Sequence, residues 1–241
     1  MKIAITGANG DIGRIISPFL AVKHDVRLGI WELAPERPPV TFSSPRLDVR
    51  NVDIRDAGAV GLFVDGADAV VHLAGQRETG ATWEQLAGPN IDGTFNVFDA
   101  CRQHAVGKIV FASSNHVTGG YDLREQQGLN GSEPVRPDSL YGVTKAFGEA
   151  LGHYVSDTCG ISVICLRIGW VLPKPIGPEA ARMWLSPGDL CRLISSSLQA
   201  AVPFGVYYGT SRNTRRLWDL GPAMKDLGYR PADDSAAFSE G

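Results

Sequence analysis

The sequence predicts an α/β chain built on a doubly wound parallel sheet, and three observations predict it. Short β-branched runs alternate with helical stretches along most of the 241 residues. Runs such as KIAIT, KIVFAS and SVICLR are apolar almost throughout, as strands are when helices cover both sheet faces. The first strand also runs straight into a glycine-rich turn that opens a helix, as at the ligand-binding edge of such sheets.

Taken in order, strands are predicted over 2–6, 25–31, 69–73, 108–113 and 162–167, with helices over 10–22, 57–64, 83–104 and 139–158. Pro173, Pro175 and Pro178 are barred from hydrogen-bonded interiors, so the stretch after Gly169 reads as a loop. A further helix is predicted from a cap at Ser186, with Pro187 in its first turn, to Gln199, and a short one over 223–227. Residues 1–168 are thus expected to form the nucleotide-binding domain. Residues 169–241 are expected to add a small substrate-binding or lid region that does not fold alone.

Composition excludes several classes. With 44% hydrophobic and 20% charged residues and no apolar run of bilayer length, neither disorder nor a membrane span is expected. The opening MKIAITG enters a strand at once, leaving no room for a targeting segment, so a cytoplasmic location is expected. A net charge of −3 offers no field for nucleic acid. Cys101, Cys159, Cys165 and Cys191 form no CxxC pair and have no histidine at ligand spacing. They read as buried thiols in a reducing compartment, with neither a disulfide nor a metal site expected.

The glycine turn reads Thr6-Gly7-Ala8-Asn9-Gly10-Asp11-Ile12-Gly13. Gly7 allows the tight turn, Gly10 a close approach to a pyrophosphate, and Gly13 close packing of helix on strand. Phosphates would then sit at a helix N-terminus, where open N–H groups and the dipole favour an anion. Glu32 lies about twenty residues further on, where a carboxylate accepts from ribose hydroxyls and repels a 2′-phosphate, favouring NAD over NADP. The alternative is a solvated surface Glu32, and Arg27 and Arg37 lie close enough in sequence to soften the preference. Asp53 and Ile54 are a second candidate contact, to adenine, unless they serve to cap the helix that starts near Asp56.

Tyr141-Gly142-Val143-Thr144-Lys145 is the sharpest signal. Residues four apart share a helix face, so phenol and ammonium reach one pocket. A tyrosine is a poor base at neutral pH, and a nearby ammonium favours its phenolate. Upstream, Phe111-Ala112-Ser113-Ser114-Asn115-His116 ends a strand at the ligand-binding edge. A serine there orients a reacting oxygen, though position alone does not choose between Ser113 and Ser114. His116 is placed to cap, to pack or to contact substrate.

Together these residues resemble the extended short-chain dehydrogenase/reductase superfamily, the NAD-dependent epimerases and dehydratases, over essentially the whole chain. The matching marks are TGANGDIG, HLAG at 72–75, NIDGT at 90–94, SSN at 113–115, YGVTK at 141–145 and Arg167-Ile168-Gly169. FASSNH followed by YGVTKAFGE, with Ala181-Arg182-Met183 and the tail LWDLG…LGYRPADDSAAF, is most similar to NAD-dependent uronate dehydrogenases. The resemblance implies a Rossmann-type fold, NAD as cofactor, and oxidation of the anomeric hydroxyl of a uronate or related aldose to its lactone. A nucleotide-sugar epimerase or dehydratase on the same fold is the alternative.

The resemblance further implies that Ser114, Tyr141 and Lys145 are catalytic. Cofactor contacts would come from Gly7, Asn9, Gly10, Asp11, Ile12, Gly13, Glu32, Asp53 and Ile54. Leu73, Ala74, Gly75, Asn90, Tyr141, Lys145 and Ile168 would complete them. Asn115 and His116 would line the sugar site beside Ser114 and Tyr141, and Arg182 would take the substrate carboxylate. Arg77 and Trp170 stand where the resembled enzymes carry small hydroxyl residues, and 77–83 is slightly longer. Both are expected in the substrate pocket, Arg77 as a second anion contact, unless they face outward. Helices over 83–104 and 139–158 are long enough to pair two subunits, which is the expected homo-oligomer, or to pack internally.

Overall fold

The computed structural model of the chain describes residues 1–31, 44–121 and 128–238. Strands β1 (Lys2–Thr6), β2 (Asp25–Ile30), β3 (Leu47–Asn51), β4 (Ala69–His72), β5 (Lys108–Ser114), β6 (Ser162–Ile168) and β9 (Phe204–Gly209) form one sheet. It is parallel throughout, in the order β3-β2-β1-β4-β5-β6-β9. Strands β7 (Trp170–Val171) and β8 (Trp184–Leu185) make a separate parallel ribbon.

Alternating side chains of the strands feed two cores. On one face Ile3, Ile5, Val71, Val110 and Ile164 meet α1 (Asp11–Ala21) and α7 (Pro187–Gln199) through Ile16, Leu20, Leu190 and Ile194. On the other, Ala4, Val70, Ile109 and Phe111 meet α2 (Ala57–Val64), α4 (Gly93–Gln103) and α5 (Leu140–Cys159) through Val60, Phe63, Val97, Phe98 and Val155. Burial on both faces is the physical reason the strands read as unbroken apolar runs.

Chain order reverses between β1 and β4, and such a reversal opens a crevice beyond the strands' carboxyl ends. The glycine turn after β1 and the loop after β4 flank this crevice. Strands β5 and β6 extend it, pairing as far as Ser114 against Ile168.

The structure differs from expectation in several places. Strand β3, LDVRN, and strand β9, FGVYYG, lie outside the predicted strands. Each is an edge of the sheet: β3 carries Asp48 and Arg50 in place of an apolar run, and two glycines interrupt the apolar residues of β9. The single helix expected over 83–104 is divided into α3 (Trp83–Leu86), a π-helical stretch Ala87–Asp92 and α4. Pro89, which has no N–H to give, lies inside the π stretch. Pro178 sits in the first turn of α6 (Gly177–Met183), so the supposed loop is partly helical. Cys101, Cys165 and Cys191 are buried, but Cys159 is exposed at the end of α5, which corrects the reading of four buried thiols.

Residues beyond 168 add β9 to the main sheet and α7 to the layer of α1. Ser186 caps α7, its hydroxyl accepting from Asp189 N at 2.9 Å. The fully buried Asp189 carboxylate binds Arg192 and accepts from the amides of Ala232 at 2.8 Å and Asp233 at 3.0 Å. Asn213 bonds Trp184 O and Ser235 N, so the chain's last described stretch is stitched to the body. A short helix, α8 (Gly221–Asp226), precedes it. Among the described residues no helix is long and apolar enough to cross a membrane.

Candidate active site

The turn from β1 into α1 has the backbone that its glycines imply. Gly7 takes φ +67°, and a Cβ there would lie 2.7 Å from Ala74 N, closer than any side chain allows. A Cβ at Gly13 would lie 2.5 Å from Ala8 O, which makes it the packing glycine. Helices α2, α5 and α7 are capped by Asp56, Ser139 and Ser186, but α1 has no side-chain cap. That uncapped start lies where Gly10, Asp11, Ile12 and Gly13 line a cleft of about 760 Å³.

One end of that cleft is walled by Trp31, Asp53, Ile54 and Arg55. The Arg55 guanidinium grips both Asp53 oxygens, at 2.6 to 3.0 Å, and lies 5.3 Å from the Trp31 ring centre. That hydrogen bonding holds the Asp53 carboxyl below its usual range. The α2 cap is Asp56, accepting from Ala59 N at 3.1 Å, which leaves Asp53 and Ile54 to the cleft. Glu32, with Arg37, lies outside the described residues.

The loop after β4 is held from two sides. Thr6 Oγ1 accepts from Leu73 N and Ala74 N, each at 3.2 Å, and bonds His72 Nδ1 at 2.7 Å. Burial, and then the charge of Lys145, push the His72 imidazole down to about 3, so the ring is neutral. Leu73, Ala74 and Gly75 line the cleft, and so do Asn9 and Ile168. Asn90 does not. Its Oδ1 accepts from Gln76 N at 2.7 Å, and its Nδ2 donates to Gln76 O and to Thr144 Oγ1 at 2.9 and 3.0 Å. It clamps the loop to α5 from behind.

At the other end β5 delivers two serines to opposite faces. Ser113 Oγ donates to Glu149 at 2.6 Å, inside a buried pair of Glu149 with Arg167 at 2.8 Å. Ser114 lines the cleft with Tyr141, its Oγ accepting from His116 N at 3.2 Å. Tyr141 and Lys145 lie one turn apart near the start of α5, which puts both on the cleft side. The Lys145 ammonium is buried, 5.7 Å from the Tyr141 ring centre and 5.0 Å from that of Phe111. Burial alone lowers it to about 8. Burial raises the Tyr141 phenol, opposed by the Ser114 hydrogen bond and by the charge of Arg77.

His116 and Asn115 border the phenol. The His116 ring meets Tyr141 edge-on at 5.8 Å, and its Nδ1 lies 2.8 Å from Asp138 Oδ2. Arg77 and Trp170 both line the cleft, Trp170 beside Val171 in the β7 strand. Arg77 forms an ion pair with Asp11 across the cleft. Arg182 is not among the lining residues: its Nε donates to Arg215 O at 3.3 Å. The sequence reading overlooked Trp31, Arg55, Gln76 and Asp138. Trp31 at a predicted strand end, and Arg55 two places after Asp53, carried the available signal; Asp138 next to Ser139 carried none.

The description NAD dependent epimerase/dehydratase family matches residues 3–202. The chain is 36% identical to a uronate dehydrogenase of Pseudomonas putida over 98% of this chain and 86% of that protein. It is 35% identical to an L-arabinose 1-dehydrogenase (NAD(P)(+)) of Haloferax volcanii over 99% of each. Among solved structures, a mutant uronate dehydrogenase of Agrobacterium tumefaciens complexed with NAD superposes with a TM-score of 0.88 at 34% identity, over 98% of this chain and 86% of that one.

Proposed function

The chain belongs to the NAD-dependent epimerase/dehydratase family, and from that membership we propose an NAD-dependent dehydrogenase that oxidises the anomeric hydroxyl of a sugar acid or related aldose to the lactone. The observation that carries the reading is the meeting of Ser114, Tyr141 and Lys145 at one end of a cleft whose other end is fitted to a dinucleotide. The uncapped start of α1 suits the diphosphate, and the apolar wall of Trp31 and Ile54 suits adenine. Bound NAD⁺ supplies the acceptor for the hydride that leaves C1 as the lactone carbonyl forms.

The residues of the chain govern the proton and the geometry. Tyr141, as phenolate, takes the proton of the anomeric hydroxyl while Ser114 donates to the same substrate oxygen and fixes its direction. Burial raises the phenol, and the Lys145 ammonium, 5.7 Å from the ring centre, would favour the phenolate against it. Asn115, His116 and Trp170 would enclose the sugar, with Gly169, Trp170 and Val171 bringing the region after residue 168 to that wall of the pocket. An epimerase has less support, since the relatives that are 35–37% identical over nearly the whole chain carry dehydrogenase names. The reading extends to a homo-oligomer acting in the cytoplasm, in keeping with four free cysteines.

The test is NADH formation from NAD⁺ over a panel of uronic acids and neutral aldoses. Net NADH from at least one of them, lost in Tyr141→Phe with NAD⁺ affinity kept, is the expected result. An enzyme that interconverts sugars without net NADH, or a variant with normal turnover, would sink it.

A further inference from the structure

One guanidinium among the described residues lines the cleft at its catalytic end, and it is held by an exposed carboxylate. Among the described residues, Arg55 is bound to Asp53 at the far end, and Arg167 is sealed with Glu149 in the core. Arg182 is turned onto Arg215 O, outside the lining. His116 is matched by Asp138, and Lys145 is buried behind the phenol. That leaves Arg77, which lines the cleft and pairs with Asp11 from the start of α1. Glu78 is the other acid near it, at 3.8 Å.

We propose that Arg77 selects an anionic sugar: its guanidinium, paired with Asp11, passes to the substrate's carboxylate. The inference rests on the dehydrogenase reading above and names the residue that would read the acid group. Both members of the Arg77–Asp11 pair are more than half exposed, at 60% and 58%, so the bond between them is weak and easily exchanged. A sugar carboxylate in the walled cleft offers the planar fork two parallel hydrogen bonds with less water competing. Arg77 is also near enough to the reacting centre for its charge to act on Tyr141. Asp11 is then a positioning residue, holding the fork at the cleft and competing with the substrate for it.

The experiment compares kcat/KM for a uronic acid with that for the neutral aldose of the same ring stereochemistry, at saturating NAD⁺. NAD⁺ affinity is measured alongside by quenching of tryptophan fluorescence. Arg77→Gln is expected to cut the acid-to-neutral ratio by about tenfold or more, chiefly through KM for the acid. Arg77→Lys should restore part of it, because charge returns without the fork. Asp11→Asn should lower KM for the acid by about twofold or more, since the competing carboxylate is gone. An unchanged ratio in Arg77→Gln overturns the proposal, as does a ratio that collapses in Arg182→Gln instead. Weakened NAD⁺ binding with the ratio intact also overturns it, and would assign Arg77 to the phosphates. No NADH from any sugar would overturn the dehydrogenase reading itself, a result distinct from turnover with no preference for the acid.

Discussion

Ser113 and Glu149 are joined by a 2.6 Å hydrogen bond, and that bond takes one of two adjacent serines out of the reaction. The same carboxylate accepts from Arg167 Nε at 2.9 Å and Nη2 at 2.8 Å, with every member buried. Ser114, one residue on, alternates to the opposite face and lines the cleft with Tyr141.

The two serines should therefore fail differently. Ser114→Ala is expected to lower kcat by about tenfold to a thousandfold with an unchanged melting temperature. Ser113→Ala should lower stability by roughly 1–3 kcal/mol, because a buried carboxylate loses a donor, while retaining most of its activity. NADH rates and thermal melts on both variants check this. The reverse pattern would move the catalytic role to Ser113.

Lys145 carries a cost that shows in its pH dependence. Its ammonium is lowered to about 8 from 10.5, so between these values the unfolded chain holds a proton that the folded one has released. Stability contributed at this position therefore rises as pH climbs from about 8 towards 10.5, and the full cost of burial is borne below 8. Lys145→Met should stabilise the fold by about 1–3 kcal/mol at neutral pH while ending turnover. The gain should shrink over that alkaline window in urea unfolding; a constant gain would contradict the assignment.

His72 predicts the acid limb. Its folded value of about 3 lies below the ordinary 6.5, so the unfolded chain protonates first as pH falls. The stability it contributes is complete above 6.5 and is lost as pH falls towards 3, at up to about 1.4 kcal/mol per pH unit. His72→Gln should flatten that slope in urea titrations run at successive pH values. An unaltered slope would place the acid sensitivity elsewhere.

Gly7→Ala tests the turn. A side chain at φ +67° with its Cβ 2.7 Å from Ala74 N forces β1 and the β4 exit apart. A loss of about 1–3 kcal/mol is expected, along with weaker NAD⁺ binding in fluorescence titration. A variant with wild-type melting and affinity would show that the turn tolerates a side chain.

What could be read from the chain in advance follows the range of the forces involved. Strands β1, β5 and β6 announce themselves because most residues of a doubly covered strand are apolar. The glycine turn and the Tyr141–Lys145 spacing are legible because both are local geometry. Strand β3 is hidden because its Asp48 pairs with its own Arg50 and with Arg27, at the edge of the sheet. Asn90 matched a sequence mark but clamps Gln76 and Thr144, partners fixed only by the fold. Arg182 matched another, yet its helix turns it to Arg215. The choice between Ser113 and Ser114 required Glu149, far along the chain but adjacent in space.

The stitching of Asp189 to the amides of Ala232 and Asp233 sets an order in time. A ribosome releases Asp189 well before it releases its two backbone donors. Until they emerge, that carboxylate has Arg192 but not the amides that allow it to be sealed from water. The nascent chain can thus assemble β1 to β6 while α7 remains loosely held. Docking of α7 beside α1 is completed by residues 43 and 44 places further along the chain, and a product stopped short of them leaves a buried acid short of donors, a defect that quality-control proteases would meet as a loose helix.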